Sequence, residues 1–234
     1  MNEELEFETF LSISPNTLEI YVFDKTKLIN IYYKELKNFN ENQKIELTQL
    51  HRFLEDNIFQ IESLLGKFIK NIILIIEDEK ILTFEISVKK KNLNKIVNSK
   101  DIENIVTETK DLVKENYQEF RIIHIIINNY ITNNTKYSRA PSDFKCDNLC
   151  LEVKFILISS KLTSEVDNIL ERYQIKSERY LNLSYIKNYF SGKDIELSEM
   201  ANKILTGCNE NEVQIIPKSY KKKGFFEKFF QLFS

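Results

Sequence analysis

Residues 53–78 read FLEDNIFQIESLLGKFIKNIILIIED. Leu54, Ile58, Ile61, Leu64, Leu65 and Phe68 recur at three- and four-residue intervals, and Ile45, Leu47 and Leu50 extend the stripe upstream. That spacing puts apolar side chains on one face of a helix and predicts a long amphipathic helix over 44–69. From residue 71 the pattern changes to an almost unbroken apolar run, NIILIIED at 71–78, which reads as a buried strand. A long helix running directly into a buried strand points to an α/β arrangement.

Working outward, ETFLSISPNTLEIYVF (8–23) predicts two short strands around a Ser14-Pro15-Asn16 turn, and 27–36 a third strand. Downstream, ILTFEISVK (81–89) alternates as a strand does, with Leu82, Phe84, Ile86 and Val88 on one face. Ser99 with Glu103 marks the capped start of a second helix. Strands are predicted at 121–128 and 149–158, with an irregular polar stretch between them. A helix from Thr163, a short strand in 173–183, a helix holding Tyr185, Ile186, Tyr189 and Phe190, and a helix at 196–206 follow. A polar linker then runs to Lys218.

Composition narrows the function classes. With 42% hydrophobic and 29% charged residues in 234, the chain is globular and long enough for a substantial core. A net charge of -2 gives no global basic field, so nucleic acid is not an expected partner. The run IILII at 72–76 is far short of the roughly 20 apolar residues that span a bilayer, and MNEELEFETF has no signal-peptide pattern. A protein at the cytoplasmic side is expected. Three cysteines fit a reducing compartment. Cys146 and Cys150 have C-x3-C spacing but no second Cys or His pair to complete a zinc tetrahedron, so no metal is expected.

No phosphate-cradling glycine loop, nucleophile elbow or zinc-protease motif occurs. His51 falls in the long helix and His124 in a buried-type strand, and both read as packed or partly exposed residues. Glu77/Asp78 and Asp101/Glu103 read as strand-end and first-turn charges, and KKKNLNK (89–95) as a solvated linker. No catalytic residue and no cofactor is expected, and the protein reads as non-enzymatic.

The distinctive chemistry lies in KSYKKKGFFEKFFQLFS. On a helical wheel at about 100° per residue, Phe225, Phe226, Phe229, Phe230, Leu232 and Phe233 fall within an arc of roughly 160°. Glu227, Lys228, Gln231 and Ser234 lie opposite, and Lys221, Lys222 and Lys223 just ahead of Gly224. An apolar face flanked by lysines is the pattern of a helix lying in the interface of an anionic membrane. Each lysine near such a surface contributes about 1 kcal/mol, so one copy binds reversibly and self-association firms the attachment. The other readings of the segment are a helix docked in a partner's groove or on its own core.

Taken together, 53–78, the order of elements in 80–180 (EKILTFEISVKK, SKDIENIV, RIIHIIINNYI, LCLEVKFILISSKLTSEVDNILERYQIKSERYLNLSYI) and the basic aromatic segment resemble the bacterial cell-division protein FtsA. The resemblance implies an α/β (α+β) fold. A partial actin-like (ribonuclease-H-like) lobe would be formed by 1–79 with 180–206. An FtsA-type inserted β-α-β-β-α-β subdomain would occupy 80–179, a linker 207–220, and an amphipathic membrane-targeting helix 221–234.

The same resemblance implies a peripheral adaptor that holds division proteins at the inner face of the plasma membrane. Membrane contact would be made by Lys221, Lys222, Lys223, Phe225, Phe226, Lys228, Phe229, Phe230 and Phe233, and self-association is implied as well. The family's second lobe, which makes most of the contact with the tubulin-like protein FtsZ, has no counterpart, so direct FtsZ tethering does not simply carry over and FtsZ stays an open partner among the other division proteins that the resemblance implies. Its glycine-containing phosphate turn is replaced by ISPNTLEI, so ATP binding is not expected. A PilM-like pilus-assembly scaffold and a degenerate nucleotide-binding enzyme are the alternatives.

Overall fold

A computed structural model describes residues 6–37, 45–140 and 144–213, the side chains of 92–96 and 144–146 apart. The proposed linker's second half and the segment 221–234, with all nine expected membrane-contacting residues, lie outside the described residues.

The described chain is mixed α+β and contains two sheets. The first is built from β1 (Phe7–Ile13), β2 (Thr17–Asp24), β3 (Ile29–Lys37), β4 (Asn71–Ile76) and β9 (Lys176–Asn182), in the order β3-β2-β1-β4-β9. β1, β2 and β3 pair antiparallel, whereas β4 and β9 lie parallel to β1. α1 (Leu47–Leu65) connects β3 to β4, and α3 (Ser160–Glu171) leads into β9. An antiparallel three-strand meander followed by two parallel strands, in this order, is a ribonuclease-H-like, actin-like lobe.

Both faces of this sheet are covered. Leu11, Ile13, Leu18, Ile20, Val22, Ile72, Leu74 and Ile76 pack against α1 and α3. Phe10, Tyr21, Phe23, Ile73 and Ile75 face α4 (Leu183–Tyr189) and α5 (Leu197–Leu205). Consecutive residues of β4 therefore point into different cores, which is why its sequence is uninterrupted Ile and Leu rather than alternating. α1 ends where Gly66 takes a left-handed φ of 65°, the conformation that glycine adopts without steric cost. Leu64 and Phe68, counted in the helix stripe from spacing, are exposed: Phe68 lies past the end of the helix, and Leu64, although helical, falls off the buried face that Leu50, Leu54, Ile58 and Ile61 form.

The second sheet contains β5 (Leu82–Val97), β6 (Phe120–Thr132), β7 (Thr135–Tyr137) and β8 (Phe144–Ser159), in the order β5-β8-β6-β7 and antiparallel throughout. One face packs on α2 (Ser99–Asn116) through Phe84, Ile86, Ile125, Ile127, Leu151, Val153 and Phe155. The other face carries Glu85, Ser87, Glu152 and Lys154. There Asn128 Nδ2 donates to Glu85 (2.6 Å) and Asn129 Nδ2 to Glu152 (2.6 Å).

Three expectations are corrected. KKKNLNK is not a linker but lies within β5, where Lys89, Lys90 and Lys91 pair with Cys150, Leu149 and Asn148 and the register shifts before Lys95. Periodicity missed this because β8 begins at Phe144, inside what reads as an irregular stretch. The cap of α2 lies one residue earlier than Ser99. Asn98 Oδ1 accepts from the Asp101 amide and Asp101 Oδ2 from the Asn98 amide, both at 3.1 Å, forming a capping box. Finally, α3 and the first residues of β9, up to 179, placed by sequence in the inserted unit 80–179, go with the first sheet: β9 pairs with β4, and Val166, Ile169 and Leu170 pack into its α1-side core.

Candidate functional site

The two sheets meet where β6 passes β9, and a buried polar cluster sits at that junction. His124 of β6 is 2% exposed. Its Nε2 accepts the backbone N–H of Asn182 (2.9 Å), so the ring proton is on Nδ1, which donates to Glu212 Oε1 (2.8 Å). The other carboxylate oxygen of Glu212 accepts the Tyr185 hydroxyl (2.9 Å), and Asn209 Nδ2 donates to that hydroxyl (2.8 Å). Arg179 stands 3.5 Å from Glu212 Oε1. Burial pushes the His124 pKa down, against the opposing pull of the Glu212 hydrogen bond. Burial, with Glu212 alongside, pushes the Tyr185 phenol up.

This arrangement has the composition of an acid–base relay, but its geometry is that of a fastening. Both ring nitrogens of His124 are engaged by protein groups, leaving neither to meet a substrate. The cluster ties together β6, the β9–α4 corner and the segment 209–213, which docks on β6. Ile127 donates its amide to Asn211 O (2.9 Å), Val213 donates to Ile125 O (2.8 Å), and Glu212 opposes Ile126 in an antiparallel bridge. Residues 209–213 were expected within a free linker; they are held instead, because Glu212 finds buried donors from two elements.

Beside the cluster lies a groove of about 860 Å³, lined by Phe120, Arg121, Ile122 and Ile123 of β6, Glu178 to Tyr180 of β9, and Val213. Arg121 crosses it to lie 4.9 Å over the Tyr180 ring.

At the opposite end of the β1–β2 hairpin, the Ser14–Thr17 turn bonds across itself. Ser14 N donates to Thr17 O (2.9 Å) and Thr17 N to Ser14 Oγ (3.0 Å), so these two amides are directed into the turn. Glu77, at the end of β4, accepts the Ser184 amide (2.8 Å) and so caps α4 beside Asn182, whose Oδ1 accepts the Tyr185 amide (2.7 Å). Asp78 accepts the Lys80 amide (2.9 Å). His51 packs beside Tyr173, with ring centroids 5.8 Å apart.

Of the cysteines, Cys150 is half-buried and Cys208 exposed. Among the described residues no cluster of three His, Cys, Asp or Glu is placed to hold a metal, and no helix is long and apolar enough to cross a membrane. Sequence reasoning placed His124 in a buried strand but missed its partners. A lone histidine in an apolar strand signals that some partner exists, whereas nothing in GCNENEV distinguishes Glu212 from Glu210.

No family model and no curated protein matches the chain. Among solved structures it is similar to the PilM-PilN type IV pilus biogenesis complex, with a TM-score of 0.49 and 11% identity over 78% of this chain and 49% of that one. It is also similar to the cytoplasmic domain of EpsL, an inner membrane component of the type II secretion system of Vibrio cholerae. There the TM-score is 0.37 and the identity 8%, over 75% of this chain and 57% of that one. A third is a Bacteroides thetaiotaomicron protein with an actin-like ATPase fold and unknown function, at a TM-score of 0.33 and 11% identity over 80% and 56%. The chain spans about half the length of the solved structures it matches. At these scores the likenesses do not bear on function, and the actin-like assignment rests on the strand order of the first sheet.

Proposed function

We propose that the protein is a non-enzymatic scaffold that works at the inner face of the plasma membrane as an FtsA-like adaptor of the cell-division machinery. The observation that carries this reading is the pattern of residues 221–234. Phe225, Phe226, Phe229, Phe230 and Phe233 supply insertion, and Lys221, Lys222, Lys223 and Lys228 the attraction to anionic phospholipid headgroups. The inserted sheet offers a face for self-association or for other division proteins, which multiplies a weak lipid affinity. No cofactor takes part.

Co-sedimentation with liposomes tests the membrane step. The full chain should pellet with anionic vesicles, less so at high salt, and a Phe226→Glu/Phe230→Glu variant should stay in the supernatant. Equal behaviour of the two chains would end the reading and favour a protein groove for the phenylalanines. A fluorescent fusion tests the division step. Enrichment at midcell supports it, whereas membrane localisation without midcell enrichment moves the scaffold toward the pilus-assembly alternative.

A further inference from the structure

We propose that the groove between the β2–β3 turn and the start of α5 is a docking site for a partner protein, taking a segment in which lysine or arginine side chains alternate with apolar ones. This inference stands on the groove itself and holds whether or not residues 221–234 bind lipid.

One half of the groove is apolar. Phe23, Leu28, Ile29, Asn30, Tyr33 and Glu196 line a hollow of about 530 Å³. Of these, Leu28, Ile29 and Tyr33 are 51%, 52% and 47% exposed. Single exposed apolar residues are ordinary, whereas three in one hollow form a patch of the kind that other molecules cover. Leu28 is the most telling of them. Asp24 closes the turn by accepting the Thr26 (2.9 Å) and Lys27 (3.0 Å) amides, and Leu28 then takes a left-handed φ of 56°. Asparagine or glycine adopts that backbone more cheaply, and a side chain half in water contributes little to the core. Neither the turn nor the core therefore asks for leucine there.

The other half is acidic and adjoins the first through Tyr33 and Glu196. Glu19, Asp194 and Glu199 line a second hollow of about 500 Å³ that shares both residues, with Lys187 on its wall. Lys203 offsets Glu199 at 2.6 Å, and Lys37 lies 3.8 Å from Glu35 beside the hollow. Glu19 accepts the Tyr21 hydroxyl (2.7 Å), and the Tyr21 and Tyr33 ring centroids are 4.9 Å apart. Burial, then the charges of Glu19 and Glu35, push the Tyr33 phenol up to about 12, as a negative field around the ring requires. The walls are also fixed to each other, because the Ser198 hydroxyl of α5 donates to Asn30 Oδ1 of β3 (2.7 Å). A groove held in place before binding loses little by ordering.

Charge complementarity selects the occupant. Carboxylates beside an exposed aromatic ring attract lysine or arginine through ion pairing and cation–π contact, and they repel the anionic headgroups of a lipid surface. The apolar hollow next to them takes a leucine, isoleucine or phenylalanine of the same segment.

Fluorescence anisotropy of the full chain with a labelled peptide of alternating lysine and leucine tests this. The peptide should bind, less so at high salt, and a peptide of alternating glutamate and leucine should not. Leu28→Asn, which suits the left-handed turn, and Glu196→Gln, which keeps the side chain's shape, should each weaken binding about fivefold or more. Both should leave the urea midpoint unchanged, and Glu55→Gln on α1 should leave binding unchanged. No binding of the lysine–leucine peptide overturns the proposal, as does binding that both groove variants retain. If the peptide fails to bind and Leu28→Asn instead lowers self-association in sedimentation, a second copy is the occupant and the partner reading falls.

Discussion

The two sheets handle their faces in opposite ways. In the first, β4 places Ile72, Leu74 and Ile76 toward α1 and α3 and Ile73 and Ile75 toward α4 and α5, so each residue of the strand after Asn71 is buried. In the second, β5 alternates, with Phe84, Ile86 and Val88 toward α2 and Thr83, Glu85, Ser87 and Lys89 exposed. A sheet with two covered faces is a load-carrying core with little freedom to change. A sheet with one open face presents a polar surface that can meet other molecules without disturbing the core. In a scaffold, the second sheet is therefore where binding specificity can vary.

The largest expected effects test whether each sheet has its own core. Leu74→Ala in the first sheet and Leu151→Ala in the second remove side chains that are 0% exposed, and each should cost about 2–5 kcal/mol in urea unfolding. If the sheets unfold together, both variants lower a single transition. Ile126 and Ile156 of the second sheet reach into the α4–α5 core of the first, which favours one transition. Two separated transitions would show that the junction couples them weakly.

The same contrast explains what was legible in the sequence. Element types along the first sheet followed from the 3.6-residue period of α1 and the solid apolar run of β4, and the β5 strand from its alternation. The ends were illegible where pairing rather than periodicity sets them. Lys89 to Lys91 join β5 because Cys150, Leu149 and Asn148 are there to pair with, partners distant in sequence that only the fold brings alongside. Likewise α3 and β9 have ordinary amphipathic patterns that do not say which sheet they cover. At the junction, His124 was visible as an oddity, but Glu212 looked like any linker carboxylate.

Next in size is the junction itself. Glu212→Ala leaves the His124 Nδ1–H and the Tyr185 hydroxyl without their acceptor, at about 1–3 kcal/mol for each stranded buried donor. Hydrogen exchange should then rise at 125–127 and 211–213 before it rises in β1 or β4. Uniform loss across both sheets would mean that the cluster supports the global fold rather than the junction.

The cluster also predicts a pH response. His124, faced by Glu212, Arg179 and Tyr185, has its pKa lowered below the ordinary 6.5. Below pH 6.5 the unfolded chain takes up a proton that the folded ring resists, so stability falls as the pH drops and is level above it with respect to this group. His124→Gln, which can donate to Glu212 and accept from Asn182, should flatten that slope between pH 6.5 and 5. Asp24, held low chiefly by the Thr26 hydroxyl, acts only below its ordinary 3.8 and does not blur the test. A slope that persists in the variant would assign it to another group.

Smaller still is the cap of α2. Asn98→Ala removes one half of the capping box and should cost about 1 kcal/mol, read as a lower urea midpoint with an unchanged slope. Ser99→Ala, at the position suggested by spacing, should be close to neutral, since the Asp101 amide is satisfied by Asn98. The reverse ranking would move the cap back to Ser99.

The smallest effect is the most informative about binding. Ser87 is exposed on the open face of β5, between Ile86 and Val88, which turn toward α2. Ser87→Lys should leave the stability of the isolated protein within about 0.5 kcal/mol, as exposed substitutions do. The first sheet has no equivalent position in β4, where the residue next to any inward side chain is inward on the other side. If the open face is where a second copy or a partner docks, the same change should weaken self-association measured by sedimentation while leaving the urea midpoint of dilute protein unchanged. A drop of more than about 1 kcal/mol in dilute protein would be too large for an exposed site and would mean that this face is already covered within the chain, removing the contrast between the two sheets.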